Sequence, residues 1–324
     1  MNFETAAVEM FPELMTSTTI TRRQVNDVVA KFKVKYPVHI TNPNNNVSRG
    51  VFNFSAQMDT NIPAVPVVLE TDEELDARIR KTYDSMELLV NSVANGITKS
   101  MVISGSAGIG KSYTVRKTLE ENVNSNFVFI KGFVKATGIF KLLWENRFEG
   151  QTIIFDDSDA VFECPIALNL LKAALELNKT RRIAWLSEKE FISEDGEQIP
   201  RYFDYEGTII FLTNLDFSDM IARGNKLAPH LSALESRSIY LDMGIKTNRE
   251  LLTRIKQVVD ESSILSDRGI NKSEEIKLMS YLTDNVDRLK DLSLRTVEKL
   301  AALYLASPEK WIDLADAVMI RGRR

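Results

Sequence analysis

Met101-Val-Ile-Ser-Gly105-Ser-Ala-Gly108-Ile-Gly110-Lys111-Ser112 decides how the rest of this 324-residue chain is read. A short apolar run, suited to a buried strand, meets a glycine-rich turn and then a helix-forming segment. The spacing of a glycine, four residues and Gly-Lys-Ser is that of a phosphate-binding loop. Its glycines let backbone N–H groups curl round an anion, and the helix that follows turns its positive end toward the same point. Gly105, Ser106, Ala107, Gly108, Ile109, Gly110, Lys111, Ser112 and the adjoining Tyr113 are therefore the candidate polyphosphate cradle. Lys111 is expected to reach the outer phosphates and Ser112 to hold Mg2+.

Working downstream, strand-like and helical segments alternate, which predicts a parallel sheet with crossover helices. The strand runs are Met101 to Ser104, Phe127 to Ile130, Thr152 to Phe155, Thr208 to Leu212 and Ser238 to Leu241, all read as buried central strands. The third ends in Asp156-Asp157-Ser-Asp159. Parallel sheets present ligands at the carboxyl ends of their strands, so these acids should face the loop. Asp156 is expected to orient Mg2+ and Asp157 to polarise an attacking water, with Asp159 able to share that role. The fourth ends in Thr213-Asn214, whose amide suits the same water. Arg237, just before the fifth strand, is placed to enter a neighbouring subunit's site, where a guanidinium can contribute about 10^3 to 10^5 in rate; Arg223 and Arg249 are fallbacks. Arg295 stands in the first turn of a helix, where a cation opposes the helix dipole unless an anion lies close.

Between the third and fourth strands, residues 181–206 read as an inserted β hairpin. Upstream, Thr71-Asp-Glu-Glu74 is a capping box opening a long amphipathic helix that carries Leu75, Ile79, Met86, Val90, Val93 and Ile97. Beyond Gly244 only helices are expected, starting at the capping box Thr247-Asn-Arg-Glu250 and again near Ser273, Ser293 and Ser307-Pro308. Residues 61–70, which contain Pro63 and Pro66 and show no helical period, read as a linker. Before them, Thr21-Arg-Arg-Gln24 caps a helix to about Lys33, and two strands, Val38 to Thr41 and Val51 to Ser55, flank an asparagine turn. Helix plus hairpin suggests a small winged-helix-like unit after a loosely held or briefly helical start.

Composition narrows the function. A net charge of -4 excludes a globally basic nucleic-acid binder and leaves local patches. One patch is Arg22, Arg23, Lys31, Lys33, Lys35 and Arg49, set against Asp27 alone; Arg321 to Arg324 is a second. One cysteine, Cys164, excludes an internal disulfide and a cysteine-based zinc cage, and two distant histidines argue against a histidine-centred site. With no apolar run of membrane-spanning length and no apolar signal, the expected location is the cytoplasm, the host's if a phage encodes the chain.

In their order, Gly105 to Ser112, Ile153 to Asp157, Asn214, Arg237 and Arg295 resemble the Walker A, Walker B, sensor 1, arginine finger and sensor 2 motifs of the AAA+ ATPases, over roughly residues 75–307. In texture the chain resembles AAA+ proteins encoded by tailed bacteriophages. The resemblance implies an α/β fold: a parallel-sheet P-loop core over residues 71–244 with an inserted hairpin at 181–206, an all-helical lid over 245–324, and an N-terminal adaptor over 1–60. It also implies ATP with Mg2+, and a homo-oligomeric ring, commonly a hexamer, with nucleotide at subunit interfaces. The expected function is ATP hydrolysis coupled to work on nucleic acid or a nucleoprotein complex; the alternatives are a protein-remodelling chaperone, or an ATP-gated assembly module that hydrolyses little. Asp157 departs from the glutamate usual in the family and bears on hydrolysis rate. The loop at Lys131 to Gly138 and the hairpin suit a central pore, where Lys135, Arg181, Arg182, Lys189 and Arg201 would favour a phosphate backbone and Phe133, Trp185 and Phe191 would stack or grip, the alternative for Trp185 being to pack the hairpin.

Overall fold

The computed structural model describes residues 3–15, 19–37, 40–41, 46–48, 51–54, 70–123, 125–187 and 190–321. The chain divides into two compact units, Met1–Leu69 and Glu70–Arg324. Val38, His39, the asparagine turn at 42–45, Arg49, most of the linker at 61–70, Lys189 and residues 322–324 lie outside the described residues.

The first unit contains α1 (Phe3–Met10), β1 (Thr19–Thr21), α2 (Arg22–Phe32), β2 (Asn46–Ser48) and β3 (Val51–Asn53). Both halves of the Thr21/Gln24 capping box form, fixing where α2 starts. The sheet is antiparallel in the order β1-β3-β2. The hairpin is thus present, but its first arm is Asn46–Ser48; Ile40 and Thr41 turn back on Pro37 instead. The strand β1 was not expected. It packs Ile20 with Val25, Val28, Phe52 and Phe54 against Phe3, Ala6 and Ala7 of α1, a small apolar core of its own.

The second unit begins with α3 (Asp72–Ala94), again capped reciprocally by Thr71 and Glu74. There follow β4 (Ser100–Ser104), α4 (Lys111–Glu121), β5 (Asn126–Lys131), α5 (Ala136–Glu145), β6 (Gln151–Asp156) and α6 (Pro165–Ala174). The insert holds β7 (Arg181–Ala184), β8 (Phe191–Ile192), β9 (Gln198–Ile199) and β10 (Tyr202–Tyr205). Then come β11 (Thr208–Thr213), α7 (Phe217–Ala222), α8 (Ala228–Glu235), β12 (Ile239–Asp242), and the lid helices α9 (Asn248–Glu261), α10 (Lys272–Asp284), α11 (Leu294–Ala306) and α12 (Trp311–Met319).

All five core strands are parallel, in the order β12-β4-β11-β6-β5. Side chains alternate across the sheet with a period of two. Met101, Ile103, Ile154, Ile210 and Leu212 face α3 and α4, whereas Val102, Ile153, Phe155, Ile209 and Phe211 face α5, α6 and α8. β4 and β11 are buried throughout and β6 from Thr152 onward; β5 and β12 are the sheet's edges and stay partly open, contrary to the reading of five buried strands. This is the P-loop α/β core expected from the sequence, followed by a lid of four helices with a separate apolar centre.

Four local expectations need correcting. α3 stops at Ala94, and Ile97 is exposed beyond the turn at Gly96. α10 is capped by Asn271, not Ser273, because Asn271 and Glu274 form the reciprocal box. Ser307-Pro308 ends α11 instead of opening α12, as proline does just past a helix C-terminus. Arg181, Trp185 and Phe191 are not polymer contacts. Arg181 is 2% exposed and donates to the carbonyls of Tyr205, Ala174 and Gly207, stapling the insert to the core. Trp185 and Phe191 pack around Phe140. Phe133, Lys135, Arg182 and Arg201 do remain exposed.

Candidate functional site

Three parallel strands end on one edge of the sheet, and their last residues carry the polar groups. From β4 the chain enters the loop Gly105 to Gly110, with Gly108 at φ 70° and Gly110 at φ 96°. Gly110 caps α4 without a side-chain bond, so the first amides of that helix are left for an external acceptor. Ser106 anchors the loop by donating its hydroxyl to the Ile245 carbonyl (2.7 Å). Beneath it, the Tyr83 hydroxyl donates to the Ile109 carbonyl (2.6 Å).

Lys111 is only 6% exposed. Its ammonium donates to the carbonyls of Gly105 (2.6 Å) and Ser106 (2.9 Å) and to Asn214 Oδ1 (3.0 Å). Burial brings its pKa down to about 8, against the opposing pull of Asp157, Asp156 and Asp159. The Asn214 amide nitrogen in turn donates to Asp157 Oδ1 (2.8 Å). Lys111, Asn214 and Asp157 thus form one hydrogen-bonded chain from the loop to the end of β6. Asp157 itself is in the left-handed region at φ 52°, with its amide held by the Leu212 carbonyl.

Asp156 is 2% exposed, and its Oδ1 accepts the Ser112 hydroxyl (2.8 Å). Lys131 Nζ stands 2.7 Å from Oδ2 as an ion pair, off hydrogen-bond geometry, so that buried oxygen has no hydrogen-bond donor. A hydroxyl and a carboxylate with a spare buried oxygen suit Mg2+, which takes few protein oxygens and keeps water or phosphate in its other positions. Among the described residues no group of three or more His, Cys, Asp or Glu is arranged to hold a metal by itself. A metal here would have to arrive with its phosphate ligands. Asp159 accepts the Thr213 hydroxyl (2.7 Å), and burial, with the nearby Asp157 charge, raises its pKa.

The lid closes the site from the other side. Leu294 N donates to the Gly108 carbonyl (2.9 Å), which places Leu294 and Arg295 over the loop. Together with Gly108, Lys111, Asp157 and Asn214 they line a cleft of about 170 Å³. A groove of about 620 Å³ continues from it between α4 and the lid, sharing Gly110, Tyr113, Leu294 and Arg295. Tyr113 is 63% exposed at that junction. Arg237 is not part of the cleft's lining: it is partly exposed, ion-paired to Glu176 (3.1 Å) and bonded to the Ala233 carbonyl. Arg223 pairs with Asp219 and Arg249 with Asp72 on the same chain.

As parts of the site, sequence reasoning passes over Tyr83 and Arg254, and reads Lys131 only as the start of a pore loop and Ser293 only as the start of a helix. Two carried a signal: Tyr83 falls on the apolar stripe of α3, and Arg254 interrupts the stripe of Leu251, Ile255 and Val258 on α9. A polar group on an otherwise apolar face has a partner to find.

No protein-family model matches the chain. It is 37% identical over 270 residues to an uncharacterised 36.7 kDa protein of the nrdC–mobD intergenic region of Enterobacteria phage T4, with 82% of each chain covered. Among solved structures it is similar to NtrX from Brucella abortus in complex with ATP, at 16% identity and TM-score 0.43, over 72% of this chain and 52% of that one. It is also similar to the RuvB Holliday junction branch migration motor of Thermotoga maritima, at 14% identity and TM-score 0.41, over 77% and 70%. The chain spans about half the length of that NtrX chain.

Proposed function

The chain belongs to one family with the phage T4 36.7 kDa protein and has an AAA+ P-loop core with a helical lid, and we propose that it is an ATP hydrolase of that superfamily which acts as a ring-forming oligomer. The observation that carries this reading is the chain of bonds from Lys111 through Asn214 to Asp157, in a cleft walled by lid residues. In it the loop amides and Lys111 bind the outer phosphates, Ser112 and Asp156 hold Mg2+, and Asn214 fixes Asp157 beside the attacking water. Bound Mg2+ supplies positive charge that neutralises the phosphates as they react. Arg295, exposed and in a first helical turn with no acidic residue of its own, adds charge from the lid.

Arg237 completes the site of a neighbouring subunit in this scheme. Its pairing with Glu176 is a surface contact that a stronger anion can displace, since such pairs contribute about 0 to 1 kcal/mol. The polymer worked on is nucleic acid or a nucleoprotein complex, engaged through Phe133, Lys135, Arg182 and Arg201 and through Arg22, Arg23, Lys31, Lys33 and Lys35 of the first unit. ATPase activity measured with and without single- and double-stranded DNA, across a salt series, tests this. Stimulation that fades as salt rises supports it; stimulation by a protein alone favours the remodelling alternative. A second reading, slow hydrolysis with ATP acting mainly as an assembly signal, draws on Asp157, whose shorter side chain is already tied to Asn214. Particle size in the presence of a slowly hydrolysed analogue, set beside turnover, separates the two.

A further inference from the structure

The lid helix α9 carries a buried arginine that the reading above leaves without a task. Arg254 is 8% exposed. Its guanidinium lies 3.4 Å over the Tyr83 ring, with Nε directed at the Ile109 carbonyl (3.4 Å) and Nη1 at Gln257 Oε1 (3.2 Å). Gln257 is spoken for on its other side, since its amide nitrogen donates to Asp76 on α3. No carboxylate among the described residues pairs with Arg254, and burial pulls its pKa down. Removing a guanidinium from water without an anion is costly. Arg181 offsets the same cost by giving all its bonds to carbonyls, whereas Nη2 of Arg254 makes no such bond and faces the groove.

Its free edge indicates which anion. Arg254 lines the 620 Å³ groove, and Nη2 stands 3.9 Å from where a Cβ on Gly110 would be. Gly110 and Tyr113 belong both to that groove and to the 170 Å³ phosphate cleft. The space beside Nη2 is therefore the seam between the two cavities. With the outer phosphates on Lys111 and the nucleoside in the larger groove, the group crossing that seam is the phosphoryl attached to the ribose. We propose that Arg254 is a second nucleotide-binding arginine of the lid, reading the phosphoryl next to the nucleoside, whereas Arg295 faces the outer ones. The proposal rests on the nucleotide reading of the cleft. Because the same guanidinium holds Tyr83 and the Ile109 carbonyl, occupancy of the seam also draws α9 onto the phosphate loop.

The test is affinity for ATP and ADP, measured on the full chain by competition with a fluorescent ATP analogue, for wild type, Lys111→Ala, Arg254→Met and Arg254→Lys. Arg254→Met keeps the side chain's length without its charge; Arg254→Gln replaces it if the methionine variant does not fold. The expected result is a loss of about tenfold or more, the worth of one charge-assisted hydrogen bond, equal for ATP and ADP and partly restored in Arg254→Lys. Unchanged affinities overturn the proposal, as does a loss confined to ATP or a loss of equal size in the methionine and lysine variants. Wild-type protein that binds no better than Lys111→Ala sinks the nucleotide reading itself, whereas a defect in Lys111→Ala with Arg254→Met at wild-type strength overturns this inference alone.

Discussion

Gly108→Ala should damage the protein through the lid more than through the phosphate. Gly108 has φ 70°, where an L side chain is strained, and a Cβ there would lie 2.6 Å from Ser293 Cβ and 3.1 Å from its hydroxyl. The left-handed conformation costs alanine about 1–2 kcal/mol. Overpacking against the buried Ser293 adds about 1–3 kcal/mol. Relief comes only by moving the start of α11 off the loop, which breaks the bond from Leu294 N to the Gly108 carbonyl. Ser293→Gly removes the clashing carbon and leaves the φ strain in place. A double-mutant cycle of Gly108→Ala and Ser293→Gly, followed by urea unfolding, should therefore show a favourable coupling of about 1–3 kcal/mol. The nucleotide affinity of the double variant should recover with it. If the two changes add independently, within about 0.5 kcal/mol, the lid does not rest on the loop through Ser293 and Gly108.

Arg237→Ala should retain ATP binding and lose hydrolysis by about 10^3 or more, the worth of an arginine finger, and mixing it with Asp157→Asn subunits should restore turnover. Lys111→Ala should lose nucleotide binding itself, measured by the same competition assay. Arg181→Ala leaves three buried carbonyls without their donor and should destabilise the insert by on the order of 3 kcal/mol, seen as faster proteolysis within residues 181–206. Glu250 titrates at about 2: burial alone would raise it, but the amides of Lys246 and Thr247, Arg78 and the Thr247 hydroxyl outweigh that. Its folded pKa is lower than its unfolded one, so it stabilises above about pH 4.5 and the contribution is lost as pH falls toward 2. Glu250→Gln should flatten the acid-unfolding curve across that window.

What was legible in the sequence was local. Capping boxes at Thr21, Thr71 and Thr247 are four-residue patterns whose hydrogen bonds close within one turn, and each forms as read. The β4 loop and the acid-tipped β6 were legible for the same reason, and strand alternation then fixes which ends meet. Asn271 was overlooked because Ser273 is an equally good cap by composition; only the glutamate three residues after Asn271 separates them. Partners remote in sequence were not legible. Nothing in Arg181 distinguishes a basic hairpin residue from one that satisfies three carbonyls, and the aromatic residues of the insert read as grips when they are its core. The loop glycines were assigned to the anion, yet Gly108 is equally required by Ser293, some 185 residues on.

The way the lid is attached suggests how a bound nucleotide moves it. The lid's apolar centre is separate from the two cores of the sheet, with Leu251 the partly buried residue that touches both sides. What joins α9 to α3 is polar: Arg78 with Glu250, Arg249 with Asp72, Arg80 with Glu261, Gln257 with Asp76, and Arg254 on Tyr83. Apolar surfaces slide only by opening a void or exposing area, whereas exposed ion pairs re-form with new partners or with water at about 0–1 kcal/mol each. A lid built this way should turn as one body on α3, since most of its anchoring contacts exchange cheaply. The buried contacts are the exceptions. Among the described residues, Gln257 on Asp76, Arg254 on Tyr83 and Leu294 on Gly108 are such contacts, and the last two end on the phosphate loop, so two of the costly steps in moving the lid depend on what the loop holds.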